Sequence, residues 1–156
     1  NIFIFKISNP NYRQFLIKIR KPSWALKVIT NESYTLENEF LVIDRKLGKE
    51  DKIQIEFTAE IKIKEDANKE KYFTYGSLFY AKPIEAIEQK GKSYLNNFDD
   101  LFYISKSKKS YQFINENNAK FDNGKIQIKA KDKFNNEIET IDLIPFGKTI
   151  LRQVSF

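Results

Sequence analysis

The sequence predicts an all-β protein, an antiparallel β-sandwich of jelly-roll-like kind, and three observations predict it. Residues 53–63 alternate strictly, with Ile53, Ile55, Phe57, Ala59, Ile61 and Ile63 separated by Gln54, Glu56, Thr58, Glu60 and Lys62. A strand sends successive side chains to opposite faces, so this run has one dry and one wetted face and needs a second layer to cover the dry one. The composition is rich in Ile and aromatics, with fourteen Phe and eight Tyr among 156 residues, and such side chains suit a half-buried pleated surface. The remaining apolar runs are short and separated by turn-forming residues, the spacing of hairpin-linked strands.

The elements follow in order. Ile2 to Phe5 is apolar on both faces and reads as a buried strand. Ser8-Asn9-Pro10-Asn11 is a turn cluster. Phe15 to Arg20 alternates as a strand, ended by Pro22, which cannot donate to a ladder. Lys27 to Thr30 and Phe40 to Arg45 are further strands, and Leu47-Gly48-Lys49-Glu50 turns the chain into the 53–63 run. At about 3.3 Å per residue that run would span roughly 35 Å, long enough to predict a bend or bulge near the small Ala59. Glu65 to Lys71 is a polar connection and the one place for a weak sub-boundary within a single domain over 1–156.

Tyr72 to Ile84 reads as an aromatic strand around Gly76, closed by Pro83. On one regular strand Tyr72 and Tyr80 share a face and Tyr75 lies opposite. Glu85 to Asn97 lacks regular periodicity and fits a short helix or a long loop. Leu101 to Ser105 and Tyr111 to Ile114 are strands. Asp122-Asn123-Gly124 is a hairpin signal, because Asn and Gly tolerate positive φ. It leads into Ile126, Ile128 and Ala130, then a turn at Phe134-Asn135-Asn136, a strand over Glu137 to Leu143 and a closing strand over Thr149 to Phe156. The total is ten to twelve strands.

Composition limits the chemistry. Neither His nor Cys is present, so zinc, haem, iron–sulfur and copper sites lack their usual ligands, Ser–His and Cys–His nucleophilic catalysis is excluded, and no disulfide forms. Carboxylate, Lys or Tyr chemistry remains. No run of eighteen apolar residues exists, so no membrane-spanning helix is expected, and no signal peptide is visible. The net charge of +6 would suit a nucleic-acid or anionic surface. The heavy use of Lys, Asn and Ile favours a solvated Lys-rich surface instead, with no nucleic-acid or membrane partner. Lys106, Lys108 and Lys109 form the densest basic cluster, read as a loop or strand end. The chain starts at Asn1 and contains no Met, from which a processed chain or an excised piece of a longer protein is expected.

Several residues invite a functional reading. Glu65-Asp66 and Asp99-Asp100 are adjacent acids, but glycoside hydrolysis needs two carboxylates across one sugar, and strand neighbours face opposite ways. Trp24, the only tryptophan, could stack on a sugar ring, although a core anchor is the favoured role. Tyr72 and Tyr75 belong to the densest tyrosine group, and they complete the set of candidate carbohydrate contacts beside a core-packing reading. Asn31-Glu32-Ser33 matches a glycosylation acceptor, a triplet that an Asn-rich chain also produces by chance.

Five blocks in order carry a resemblance. Phe15-Leu-Ile-Lys-Ile-Arg-Lys-Pro-Ser-Trp-Ala25 is similar to a strand ending in Leu-Arg-Ile-Pro-x-Trp, and Val28 to Glu32 takes the place of Val-x-Val-Asn-Gly. Ile43 to Ile53 resembles an Ile-x-Arg-x-Trp, Gly-Asp and strand sequence. Gly76-Ser-Leu-Phe-Tyr-Ala81 resembles Gly-Pro-Leu-Val-Tyr-Ala, and Leu143 to Phe156 resembles Leu-x-Pro-Tyr-Gly-x-Thr-x-Leu-Arg-x-x-x-Phe. These are blocks of the C-terminal β-sandwich region of β-L-arabinofuranosidase-like glycoside hydrolases. Leu47 stands in place of the family's Trp, Glu32 in place of Gly and Ser77 in place of Pro, which marks a divergent member. In that family catalysis lies upstream, in an (α/α) barrel with a cysteine nucleophile, glutamates and a cysteine-bound zinc. The resemblance therefore assigns no catalytic residue, cofactor or metal to this chain. It implies a non-catalytic accessory domain, not an enzyme by itself, partnered by an upstream barrel of the same polypeptide, with a homodimer as a further option and a periplasmic or extracellular location favoured. The alternative is a carbohydrate-binding module that holds a glycan through exposed rings.

Overall fold

The computed structural model describes residues 2–6, 13–48, 50–95, 98–115 and 118–156. The fold is all-β and antiparallel, as the alternation predicts, with no α-helix among the described residues. It divides into two compact units, Asn1–Glu60 and Ile61–Phe156. The turn cluster at Ser8 to Asn11, together with Lys49, Asn96 and Asn97 from two expected connections, lies outside the described residues.

The N-terminal unit is a small sandwich of two three-stranded sheets. In one, β1 (Ile2–Lys6) and β3 (Lys27–Thr30) flank β6 (Lys52–Thr58); in the other, β2 (Gln14–Arg20) and β4 (Thr35–Glu37) flank β5 (Phe40–Lys46). Ile53, Ile55 and Phe57 of β6 and Leu41 and Ile43 of β5 form one buried cluster with Ala25 and Leu47. Leu47 is fully buried and fills part of this core. Arg45 ties two turns to the sheet: its guanidinium lies 2.9 Å from Glu32 and 3.3 Å from Asp51, and Asp51 accepts a hydrogen bond from the Gly48 backbone N–H at 2.6 Å.

The expected single strand over 53–63 is two strands. β6 ends at Thr58 and β7 (Ile61–Glu65) begins after Ala59-Glu60. Its first half buries Ile53, Ile55 and Phe57 in the N-terminal core, and its second half packs Ile61 and Ile63 on the core of the other unit. The division between units therefore falls at Glu60–Ile61 and not within 65–71. That segment is a tight hairpin loop in which Asp66 accepts backbone N–H bonds from Asn68 at 2.8 Å and Glu70 at 3.0 Å, with Lys69 at φ 64°.

The C-terminal unit is built on a curled eight-stranded sheet. Its path runs β12 (Tyr111–Phe113), β14 (Lys125–Asp132), β15 (Ile138–Pro145), β9 (Leu78–Ile84), β8 (Lys71–Tyr75), β7; β13 (Lys120–Asp122) adds to β14, and β16 (Leu151–Gln153) adds to β9. The sheet curls around Phe73, Tyr80, Ile126, Ile128, Leu143 and Phe156. The alternation of β14 dictates this: Ile126, Ile128 and Ala130 are buried while Gln127 and Lys129 are exposed. The expected hairpin is present: Asn123 and Gly124 both have positive φ, 44° and 78°, the pattern of a two-residue type I′ turn.

Tyr72 to Ile84 is not one strand. Gly76 has φ 61° and, with Ser77, reverses the chain between β8 and β9, which pair with Tyr75 opposite Leu78 and Phe73 opposite Tyr80. Opposed residues share a face, so Tyr75 lies on the Tyr80 face and Tyr72 on the other, the reverse of the expectation. Pro83 does not close the strand; it pairs with Arg152 of β16 inside the ladder. The closing strand expected over Thr149 to Phe156 is formed only at Leu151–Gln153, and residues 146–148 before it form a 3-10 turn after Pro145. Arg152 Nη1 donates to the Phe146 carbonyl at 3.0 Å and to the Thr149 carbonyl and hydroxyl at 3.1 Å, and its guanidinium lies 3.8 Å over the Phe146 ring.

Residues 86–93 are neither helix nor loop. They form β10 (Ala86–Ser93), which pairs with β11 (Asp99–Ser105) in a separate two-stranded ribbon. With these splits, the ribbon strand, β4 and β13, the described residues hold sixteen strands instead of ten to twelve.

Candidate functional site

Two features of the C-terminal unit present chemistry to solvent. The first is the ribbon. Its register opposes Ile87 to Ile104 and Gln89 to Phe102, so Ile87, Phe102 and Ile104 share one face, and all three are exposed. Phe102 lies across Gly91, where any β-carbon would run into the ring; the glycine is what allows this close approach. Beyond the ladder, Tyr94 and Phe98 set their rings 6.3 Å apart, and Leu95 and Phe98 are 91% and 70% exposed. Polar bonds fix the frame: Lys90 pairs with Asp99 at 2.8 Å, and the Tyr94 hydroxyl donates to Asp100 at 3.1 Å.

The second is a cleft of about 280 Å³ at the foot of the ribbon. β9 contributes Lys82, Pro83 and Ile84, and Glu85 follows; the segment after β11 contributes Lys106, Ser107 and Lys109, with Tyr111 and Gln153 behind. Lys109 Nζ pairs with Glu139 at 2.5 Å, and the Tyr111 hydroxyl donates to the same carboxylate at 3.0 Å. The hydrogen bond from Lys109, then that from Tyr111, holds the Glu139 carboxyl below its ordinary range. Burial, reinforced by Glu139, pushes the Tyr111 phenol up. Gln153 bonds the backbone of Tyr111 through both ends of its amide, accepting from its N–H at 2.8 Å and donating to its carbonyl at 2.6 Å. This holds the residues behind the cleft in place. Lys82 and Lys106 form no ion pair with a carboxylate among the described residues, and Glu85 is the one carboxylate lining the cleft.

Of the candidate carbohydrate contacts, Trp24 belongs to the N-terminal unit and Tyr72 and Tyr75 to the C-terminal one. Trp24 is half-buried on the N-terminal core, edge-on to Phe57 with ring centroids 6.2 Å apart. Tyr72 and Tyr75 point to opposite faces of their sheet: Tyr72 stacks on Phe79 at 5.7 Å, and Tyr75 lies flat on Phe121 at 3.6 Å. The adjacent acids are engaged separately. Glu65 pairs with Lys71. Asp66 is held below its ordinary value by the Ser155 hydroxyl first and then the loop amides, and Asp99 is held down by Lys90, then Ser93. Asp66 and Asp99 are thus pushed away from the protonated state that a general acid requires. The Asn31 side chain spans two backbone groups, donating to the Lys52 carbonyl at 3.0 Å and accepting from the Gln54 N–H at 2.8 Å. No cluster of three or more metal-ligating side chains occurs among the described residues.

The chain matches no protein-family model, no curated protein and no solved structure. The basic cluster at 106–109 was the one sequence signal for the cleft. Of the ribbon only β11 left a signal, the strand expected over Leu101 to Ser105; β10 left none, because that polar strand shows no alternation.

Proposed function

We propose that this chain is the non-catalytic β-sandwich region of a β-L-arabinofuranosidase-like glycoside hydrolase, and that it docks on the enzyme's helical catalytic barrel through the β10–β11 ribbon. The chemistry of the ribbon carries this reading. An isolated two-stranded ribbon is marginal in water, yet this one exposes Ile87, Leu95, Phe98, Leu101, Phe102 and Ile104. Aliphatic side chains gain little from a sugar ring and about 1.5–3 kcal/mol each from full burial against protein. Ile87, Leu95, Leu101 and Ile104 therefore favour a protein partner over a glycan, and the resemblance across the five blocks supplies the barrel as that partner.

The test is hydrogen exchange on the ribbon amides of the protein encoded by the whole reading frame, compared with the 156-residue chain. Protection of 86–105 in the long protein, lost in Leu95→Asp/Phe98→Asp without loss of fold, is the expected result. A reading frame that encodes no helical barrel, or ribbon amides that exchange equally fast in both proteins, would end this reading.

A further inference from the structure

We infer that the cleft at the foot of the ribbon binds a carboxylate-bearing sugar, a uronate unit, and this inference does not depend on the docking role. At about 280 Å³ the cleft suits a ligand near the small end of the usual range, about one ring in size. Its charges are divided in a way that selects the ligand. Lys109 is already neutralised by Glu139. Lys82 and Lys106 are left facing the cleft as two cations, and Lys82 acts at longer range on Glu139 and Asp142. Asp142 has its own cation, Lys125, at 2.8 Å.

Two flexible ammonium groups suit one carboxylate, which they hold as point charges. Glu85 then decides between anions. An ionised carboxylate is acceptor-only, so Glu85 repels a dianion such as phosphate and accepts hydrogen bonds from hydroxyls. A ligand that carries one negative charge and several hydroxyls satisfies both halves of the cleft. The Ser107 hydroxyl accepts the Lys109 backbone N–H at 3.0 Å, which leaves its own proton to donate. Pro83 and Ile84 form an apolar wall on which the C–H face of a ring can rest.

The test is an NMR titration of the ¹⁵N-labelled 156-residue chain at low salt with glucuronate, glucose and inorganic phosphate. Glucuronate is expected to shift the amides of Lys82, Lys106 and Ser107 saturably, to bind about tenfold more tightly than either of the others, and to weaken with added salt. Lys82→Ala, at a half-buried position, and Lys106→Ala, at an exposed one, should each weaken glucuronate about fivefold. Glu85→Gln should narrow its lead over phosphate. Phosphate binding as tightly as glucuronate would reduce the cleft to a cationic patch. Glucose binding equally well would remove the role of charge. Shifts that do not saturate at these amides, or lysine variants that bind like the parent, would overturn the inference.

Discussion

Arg152 is the residue whose loss should reveal what the closing block of this chain does. In the 3-10 turn at 146–148 the Phe146 carbonyl accepts from the Thr149 N–H at 3.2 Å and hydroxyl at 2.7 Å, and Arg152 Nη1 ties the turn further, reaching Phe146 O at 3.0 Å, Thr149 O at 3.1 Å and Thr149 Oγ1 at 3.1 Å. One Nη carries two hydrogens, so three acceptors share two bonds. A buried hydrogen bond to a charged group contributes about 1.5–3 kcal/mol. Arg152 is only half-buried, and solvent screening reduces each bond to about 1 kcal/mol. The guanidinium 3.8 Å over the Phe146 ring adds about 0.5–1 kcal/mol. Arg152→Ala should therefore cost about 2–3 kcal/mol, a fall in Tm of about 5–10 °C for a chain of this size. Arg152→Lys keeps the cation over the ring but loses the planar fork, and should cost about 1 kcal/mol. Urea denaturation followed by far-UV circular dichroism measures both. An Arg152→Ala variant within about 0.5 kcal/mol of the parent would refute the capping argument, and an Arg152→Lys variant equal to the parent would refute its geometric part.

Two further predictions concern one unit each. Arg45→Met should destabilise the N-terminal unit by about 2 kcal/mol, since it leaves the Glu32 carboxylate, 11% exposed, without its cation; Trp24 fluorescence during urea unfolding reads this directly. In the C-terminal unit the Tyr80 phenol is pushed above its ordinary value by burial first and by Tyr75 second. Its folded value exceeds the unfolded one, so its contribution is intact below about pH 10 and is lost as pH rises through the folded value. Tyr80→Phe should flatten the fall of the urea midpoint above about pH 10, with the remaining slope shared by Tyr111, raised mainly by burial, by Tyr103, raised by its bond to Glu88, and by Lys109, raised by its bond to Glu139. An unchanged slope would remove Tyr80 as a source of the alkaline loss.

How far the sequence could be read depended on whether a feature was local. The Asn123-Gly124 hairpin and the buried alternation of Ile126, Ile128 and Ala130 follow from side chains within a few residues, and both are found as expected. Alternation over 53–63 was equally visible, but it says only that one face is dry. It does not say that Ile55 and Ile63 enter different cores, because nothing in a period of two identifies the layer above it. Face assignment failed at Tyr72 and Tyr80 for a related reason. Eight residues apart on one strand they share a face, whereas a two-residue reversal at Gly76-Ser77 opposes Phe73 to Tyr80 and moves Tyr72 to the other side. Gly76 is not a residue within one strand over Tyr72 to Ile84 but part of the turn between two.

The two candidate sites were hidden by their own composition and topology. The cleft joins β9, the segment after β11 and β16, so no short window contains it. β10 carries Glu88, Gln89, Lys90 and Lys92, and a strand wetted on both sides has no reason to alternate. The missing period that made 85–97 unreadable is the same property that leaves the apolar side chains opposite it uncovered, and a ribbon with that asymmetry is stable only when something else supplies the second layer.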